Sequence, residues 1–260
     1  IVADVGKINL EALAAGQVEP LARAISAAES DELSEAELAL LTQMSAKLAS
    51  AAHQRIGITG SPGVGKSTLT GVLIGAFRAR GQRVGVLAVD PSSVLTGGAL
   101  LGDRIRMHEH YLDSDVFIRS MSARGHLGGL AKATPIATQL LAVAGFSPVI
   151  VETVGVGQSE VEVMHHVDTT VVVLAPGAGD DIQSAKAGIM EIADIFVINK
   201  CDRDLAAAEK LRQEILRSLE LSQQKKSWRP PVLLVSALER TGITELLDAI
   251  AEHHQKINED

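Results

Sequence analysis

Aromatic side chains are nearly absent from this 260-residue chain: Phe, Trp and Tyr together make up 2% of it. A core cannot then rest on large rings. It must be assembled from Ala, Val, Leu and Ile, within an apolar share of 46%. Cysteine is almost missing too; the single Cys201 excludes an internal disulfide framework and suits a reducing compartment. No apolar run approaches the ~18 residues that a membrane-spanning helix needs, and no secretory signal is visible. Positive charge is in deficit, with 24 Lys and Arg against 32 Asp and Glu and a net charge of −8. Such a chain has no basic field with which to displace counterions from a phosphate backbone. Neither a nucleic-acid nor a membrane partner is expected, and the expected location is the cytoplasm, or the mitochondrial matrix if the source is eukaryotic. The first residue is Ile rather than Met, so a lost N-terminal segment is also expected.

What the chain does have is rhythm. Through residues 7–52 apolar residues recur at three and four positions, as in Leu10-Glu-Ala-Leu-Ala, Leu21-Ala-Arg-Ala-Ile and Leu38-Ala-Leu-Leu-Thr-Gln-Met. That is the spacing of amphipathic helices, and Ser34-Glu-Ala-Glu37 supplies a capping signal for the last of them. From residue 53 short Val- and Ile-rich runs alternate with helical stretches. Strands are expected at 55–59, 83–89, 116–119, 148–152, 169–175, 194–199 and 231–236. Helices are expected at 66–80, 130–144, 182–191, 204–220 and 241–257. This alternation predicts an α/β fold with a doubly wound, mostly parallel sheet, whose ligands bind beyond the carboxyl ends of the strands. The expected domains are a helical extension over 1–52 and a nucleotide-binding domain over 53–260. Residues 91–113, richer in Gly, Ser and charge, interrupt the rhythm with a long loop of the kind that usually carries function.

The most informative stretch is Gly60-Ser61-Pro62-Gly63-Val64-Gly65-Lys66-Ser67-Thr68, which fits G-x-x-x-x-G-K-[ST] between an expected strand and an expected helix. Its glycines let the backbone turn several N–H groups toward phosphate oxygens, and the helix N-terminus adds partial positive charge. Lys66 would reach the β- and γ-phosphates, and the Ser67 hydroxyl would sit on Mg²⁺. Asn199-Lys200-Cys201-Asp202 follows a buried strand and matches N-K-x-D. A carboxylate at Asp202 can accept from both the ring N–H and the exocyclic amine of guanine, a pair that adenine does not offer. Ser236-Ala237-Leu238, at the end of the last expected strand, is a short match to a base-contacting loop.

Two further expected strands end in carboxylates, at Asp90 and at Glu152. Either could merely cap the next element. Beside a P-loop, an apolar strand ending in an acid can also place an acceptor near Mg²⁺ through coordinated waters. Glu152-Thr-Val-Gly155 stands where D-x-x-G would, so Gly155 could sense the γ-phosphate and order its loop. Val156 takes the position at which a water-orienting Gln is found in small signalling GTPases, and Gln158 lies close by. Slow or partner-dependent hydrolysis is the expectation.

A family resemblance rests on several blocks in order: Asp90-Pro-Ser-Ser93, Thr96-Gly-Gly98, Leu101-Gly-Asp-Arg-Ile-Arg-Met107, Gly125-His-Leu-Gly-Gly129, Glu152-Thr-Val-Gly-Val-Gly-Gln-Ser-Glu160, Gly177-Ala-Gly-Asp180, Gln183-Ser-Ala-Lys-Ala-Gly-Ile-Met-Glu191 and Asn199–Asp202. Over roughly residues 8–255 the chain resembles the MeaB/MMAA-type P-loop GTPases, some of which carry the older label of ArgK-like transport kinases. The resemblance implies a GTPase chaperone that gates cofactor loading and protects an adenosylcobalamin-dependent acyl-CoA mutase of the methylmalonyl-CoA mutase type. It implies GTP/GDP and Mg²⁺ as cofactors, the metal lying among Ser67, Asp90, Asp103 and Glu152, with Lys66, Asp103 and Glu152 carrying hydrolysis. Residues 91–107 and 153–160 would be two switches. A third, 177–188, would relay nucleotide state to the mutase, with Asp180, Gln183 and Lys186 as participants. Members usually continue past this point with a helical arm that helps form a homodimer; here the sequence ends at Asp260, so dimerisation by that route stays open.

Two rival readings are weaker. A nickel-delivery GTPase would want a Cys/His cluster, whereas His165-His166 and His253-His254 lack ligand spacing and suit surface or packing roles. An ATP-dependent kinase linked to amino-acid transport would prefer adenine, against Asn199 and Asp202.

Overall fold

The computed structural model describes residues 8–47, 53–90, 110, 112–122, 127–153, 162, 164–177, 191–221 and 228–259. Three helices come first: α1 (Leu10–Ala14), α2 (Val18–Glu29) and α3 (Glu35–Lys47). Strands and helices then alternate through β1 (Arg55–Thr59), α4 (Lys66–Ala79), β2 (Val84–Asp90), β3 (Val116–Ser122), α5 (Leu127–Val143) and β4 (Val149–Thr153). The chain continues with β5 (Thr169–Leu174), β6 (Ile195–Ile198), α6 (Leu205–Leu221), β7 (Val232–Leu234) and α7 (Ile243–Glu259). The seven strands form one sheet in the order β3-β2-β4-β1-β5-β6-β7. The pairs β2–β3, β1–β5, β5–β6 and β6–β7 are all parallel.

The sequence explains the burial. β4, β5 and β6 are buried at every residue, as strands covered on both faces must be, and they read as near-continuous Val and Ile. All seven expected strands and four of the five expected helices form, with no end shifted by more than three residues. β3 runs three residues further than expected because it pairs with β2 up to Asp90–Ser122. α5 starts at Leu127 rather than residue 130, taking in Gly128 and Gly129, which weaken a helix by about 1 kcal/mol each and conceal it from a propensity reading. Most of the helix expected at 182–191 falls outside the described residues.

Contacts group the chain into two compact units, residues 1–55 with 76–151 and residues 56–75 with 152–260. In the first, α2 and α3 pack against α5. Arg119 on β3 donates to Ser26 Oγ and to Glu29, tying that strand to α2. The cap of α3 is a reciprocal box. Glu37 N–H donates to Ser34 Oγ at 3.3 Å, while Glu37 Oε2 accepts from Ser34 N–H at 2.8 Å. Glu37 Oε1 also accepts the Ile8 N–H, so the cap holds the start of the described chain.

In the second unit Val172, Leu174, Phe196, Ile198, Leu211, Ile215 and Val232 form an aliphatic cluster with one ring. Each such side chain contributes about 1.5–3 kcal/mol when fully buried. Among the described residues no helix is long and apolar enough to cross a membrane.

A candidate guanine-nucleotide site

The P-loop connects β1 to α4 within the second unit, and its shape forces its glycines. Gly60 has φ +151, and a Cβ there would lie 2.2 Å from the Val173 carbonyl oxygen on β5. Gly65 has φ +97, and a Cβ there would lie 2.5 Å from Asn199 Nδ2. Contacts this close exclude any side chain, so the loop runs tight against β5 and the β6 end. α4 begins at Lys66, leaving its first N–H groups and its dipole facing the loop.

The Lys66 ammonium is buried. It donates to the carbonyls of Gly60 at 2.6 Å and Ser61 at 3.0 Å, which orient a cation toward the loop's interior. One residue on, Ser67 Oγ donates to Glu152 Oε1 at 2.6 Å. One helical turn later, Thr70 Oγ1 donates to Glu152 Oε2 at 2.7 Å. Glu152 and both hydroxyl residues are buried, and these bonds give both carboxyl oxygens polar partners inside the fold. On the neighbouring position of β4, Thr153 Oγ1 donates to Thr59 Oγ1 at 3.0 Å, locking the ends of β1 and β4. These oxygen donors suit a hard cation such as Mg²⁺, which takes few protein ligands and draws the rest from phosphate and water.

The base end is built on Asn199, which is only 2% exposed. Its Nδ2 donates to the Val64 carbonyl at 2.9 Å, and its Oδ1 accepts the Ala237 N–H at 3.0 Å. One amide therefore ties the phosphate loop to the loop after β7. Lys200 sits at φ +62 and reaches the Gly63 carbonyl with Nζ, bracing the same loop from outside. Ser236 and Ala237 are buried; a pair of bonds between Ser236 and Thr241 and one from Glu239 N–H to Ser236 Oγ fix their turn. Asp202 and Leu238 stay exposed. Cys201 donates its N–H to Val235; burial, then the charge of Asp202, raises its thiol pKa, so it stays a neutral flank.

The structure thus brings Gly60 to Thr68, Glu152, Asn199, Lys200 and Ser236–Ala237 into one connected network, with Asp202 and Leu238 on its loops. Asp90 ends β2, but its side chain lies outside the described residues, as do Asp103, Gly155, Gln158, Asp180, Gln183 and Lys186. His253 is a packing residue: its Nδ1 meets Thr169 Oγ1 at 2.9 Å, its ring lies tilted against Trp228, and burial lowers its pKa. Among the described residues no group of three or more His, Cys, Asp or Glu could hold a metal ion. Two participants escaped the sequence reading. Thr70 is one; its signal was the Ser67–Thr70 spacing of three, which puts both hydroxyls on one helix face. The Val64 carbonyl and Ala237 N–H pair that the Asn199 amide joins by two hydrogen bonds is the other.

The profile of the family described as "Methylmalonyl Co-A mutase-associated GTPase MeaB" matches residues 21–260. This chain belongs to the MeaB family. A protein of Pyrococcus abyssi is 54% identical over 201 residues, covering 77% of this chain and 62% of the relative. "GTPase ArgK" of Escherichia coli is 44% identical over 76% of this chain and 60% of its own. "Methylmalonic aciduria type A homolog, mitochondrial" of Mus musculus is 42% identical over 78% and 50%. The chain therefore spans about half to two thirds of the length of these MeaB-family relatives. Among solved structures, a LAO/AO transport system kinase superposes with a TM-score of 0.72 at 31% identity, over 96% of this chain and 74% of that one. HypB from Helicobacter pylori in complex with nickel gives 0.56 at 15% identity, a likeness of fold alone.

Proposed function

We propose that this MeaB-family chain binds GTP with Mg²⁺, hydrolyses it to GDP and phosphate, and uses the cycle to gate cofactor loading into an adenosylcobalamin-dependent acyl-CoA mutase. The observation that carries the nucleotide half is the Asn199 amide, which joins the phosphate loop to the Ser236–Ala237 loop at fixed spacing. That bond sets the span between a phosphate-binding end and a base-binding end, as a guanosine phosphate requires.

The proposed roles rest on the described geometry for Lys66, Ser67, Glu152 and Asn199, and on the family resemblance for the remaining residues. The P-loop N–H groups and the start of α4 hold the phosphates, and Lys66 moves from the Gly60 and Ser61 carbonyls onto the β- and γ-phosphate oxygens. Ser67 would hold the metal, with Glu152 beside it and, by the family resemblance, Asp90 and Asp103 as further residues for it. When bound, Mg²⁺ neutralises charge developing on the phosphate oxygens. Asp202 reads the guanine N–H pair, and Ser236, Ala237 and Leu238 border the base. By the family resemblance, Gly155 and Gln158 would belong to the switch that senses the γ-phosphate. Asp180, Gln183 and Lys186 would belong to the segment that reports to the partner.

The mutase half is supported by the family description and by the name of the mouse relative. A nickel cargo lacks support, because the nickel-bound neighbour shares the fold alone. The test is phosphate release from GTP, alone and with purified methylmalonyl-CoA mutase-type enzymes. Slow turnover that rises on complex formation is the expected result. No stimulation by any candidate mutase would remove the chaperone half of the reading.

A further inference from the structure

Glu152 is gripped on both oxygens, and only one of the two grips belongs to a residue of the P-loop motif. Ser67 donates to Oε1 at 2.6 Å and Thr70 to Oε2 at 2.7 Å, and Thr70 is fully buried. A hydroxyl has one proton and two lone pairs. With its proton committed to Glu152, Ser67 keeps only lone pairs for any other neighbour, which is the form in which it can ligate a cation. That commitment lasts only while Oε1 faces Ser67. A carboxylate turns readily about its terminal bond, so a second donor on Oε2 is what fixes its orientation.

We propose that Thr70 is a positioning residue for metal binding: it clamps Glu152 so that the carboxylate takes the Ser67 proton and leaves the Ser67 oxygen presented to Mg²⁺. Glu152 then acts on the cation through Ser67 rather than as a freely rotating ligand. Partners that orient a metal ligand in this way typically alter metal affinity by about 10–100-fold when removed. The helix makes the device compact, since Ser67 and Thr70 stand one turn apart on the same face of α4.

This inference rests on the guanine-nucleotide reading, and its test separates the two. The readout is the Mg²⁺ concentration that half-maximally slows release of a fluorescent GDP, together with GDP affinity in EDTA. In the wild type, Mg²⁺ slows release. Thr70→Val should need about 10–100-fold more Mg²⁺ while its GDP affinity in EDTA stays unchanged. Thr70→Ser, which keeps the donor, should return the wild-type midpoint. Should Thr70→Val fail to fold, Thr70→Ala is read in the same way. An unchanged midpoint in the variant lacking the hydroxyl overturns the positioning role. So does an equal loss of GDP affinity in EDTA, which would mark a general packing defect. A wild-type chain that binds no GDP would overturn the nucleotide reading itself, and this inference with it.

Discussion

The phosphate end and the base end of the site are finished to different degrees. At the phosphate end Lys66, Ser67, Thr70 and Glu152 are all buried and hydrogen-bonded to one another or to the loop. At the base end the supporting groups, Asn199, Ser236 and Ala237, are buried, while Asp202 is exposed and Leu238 is 77% exposed. Under the proposed function the difference would divide the labour. A preorganised, desolvated phosphate end would supply binding strength and the electrostatics of phosphoryl transfer. An open base end would supply discrimination, because a carboxylate that finds no paired donors gains little from the wrong base.

The sharpest way to break this comparison is at Lys66. Lys66→Ala should lower phosphate release from GTP by at least ~10²-fold while leaving the melting temperature without nucleotide close to that of the wild type. Retained turnover would mean that the buried ammonium is structural and that the phosphate end does not carry the chemistry. The next largest effect falls on the bridge between the two ends. Asn199→Ala leaves the Val64 carbonyl and the Ala237 N–H without this partner, at about 1 kcal/mol or more each. The expected outcome is a melting temperature lower by roughly 4–8 °C and GDP affinity reduced by at least ~10-fold, read by calorimetry. If neither changes, the two ends are not coupled through this amide.

How legible the molecule was in its sequence also differs between these parts. The strands were legible because parallel, doubly covered strands must be continuous Val and Ile, and Ile56–Thr59 and Thr169–Leu174 leave little room for another reading. The P-loop was legible because its glycines answer steric demands that no other residue meets, as at Gly60 and Gly65. Thr70 was not, because a threonine inside a helix is ordinary until a carboxylate from a strand far along the chain arrives beside it. Glu152 was read as a group near the metal, but its double grip depends on the register of β4 against α4, which local pattern does not carry. Asn199 was read for its place beside the base; that its amide also joins two backbone groups far apart in the chain was not legible. The Gly128-Gly129 start of α5 was hidden because two glycines lower the local helix propensity, although the helix runs through them.

The central claim is that this architecture selects a guanine nucleotide. It is tested most directly by thermal melting of the chain with saturating GDP or ADP in the presence of Mg²⁺, in the wild type and in Asp202→Asn. GDP should raise the wild-type melting temperature while ADP leaves it unchanged, and Asp202→Asn should lose or reverse that preference. Equal stabilisation by GDP and ADP in the wild type would contradict the account.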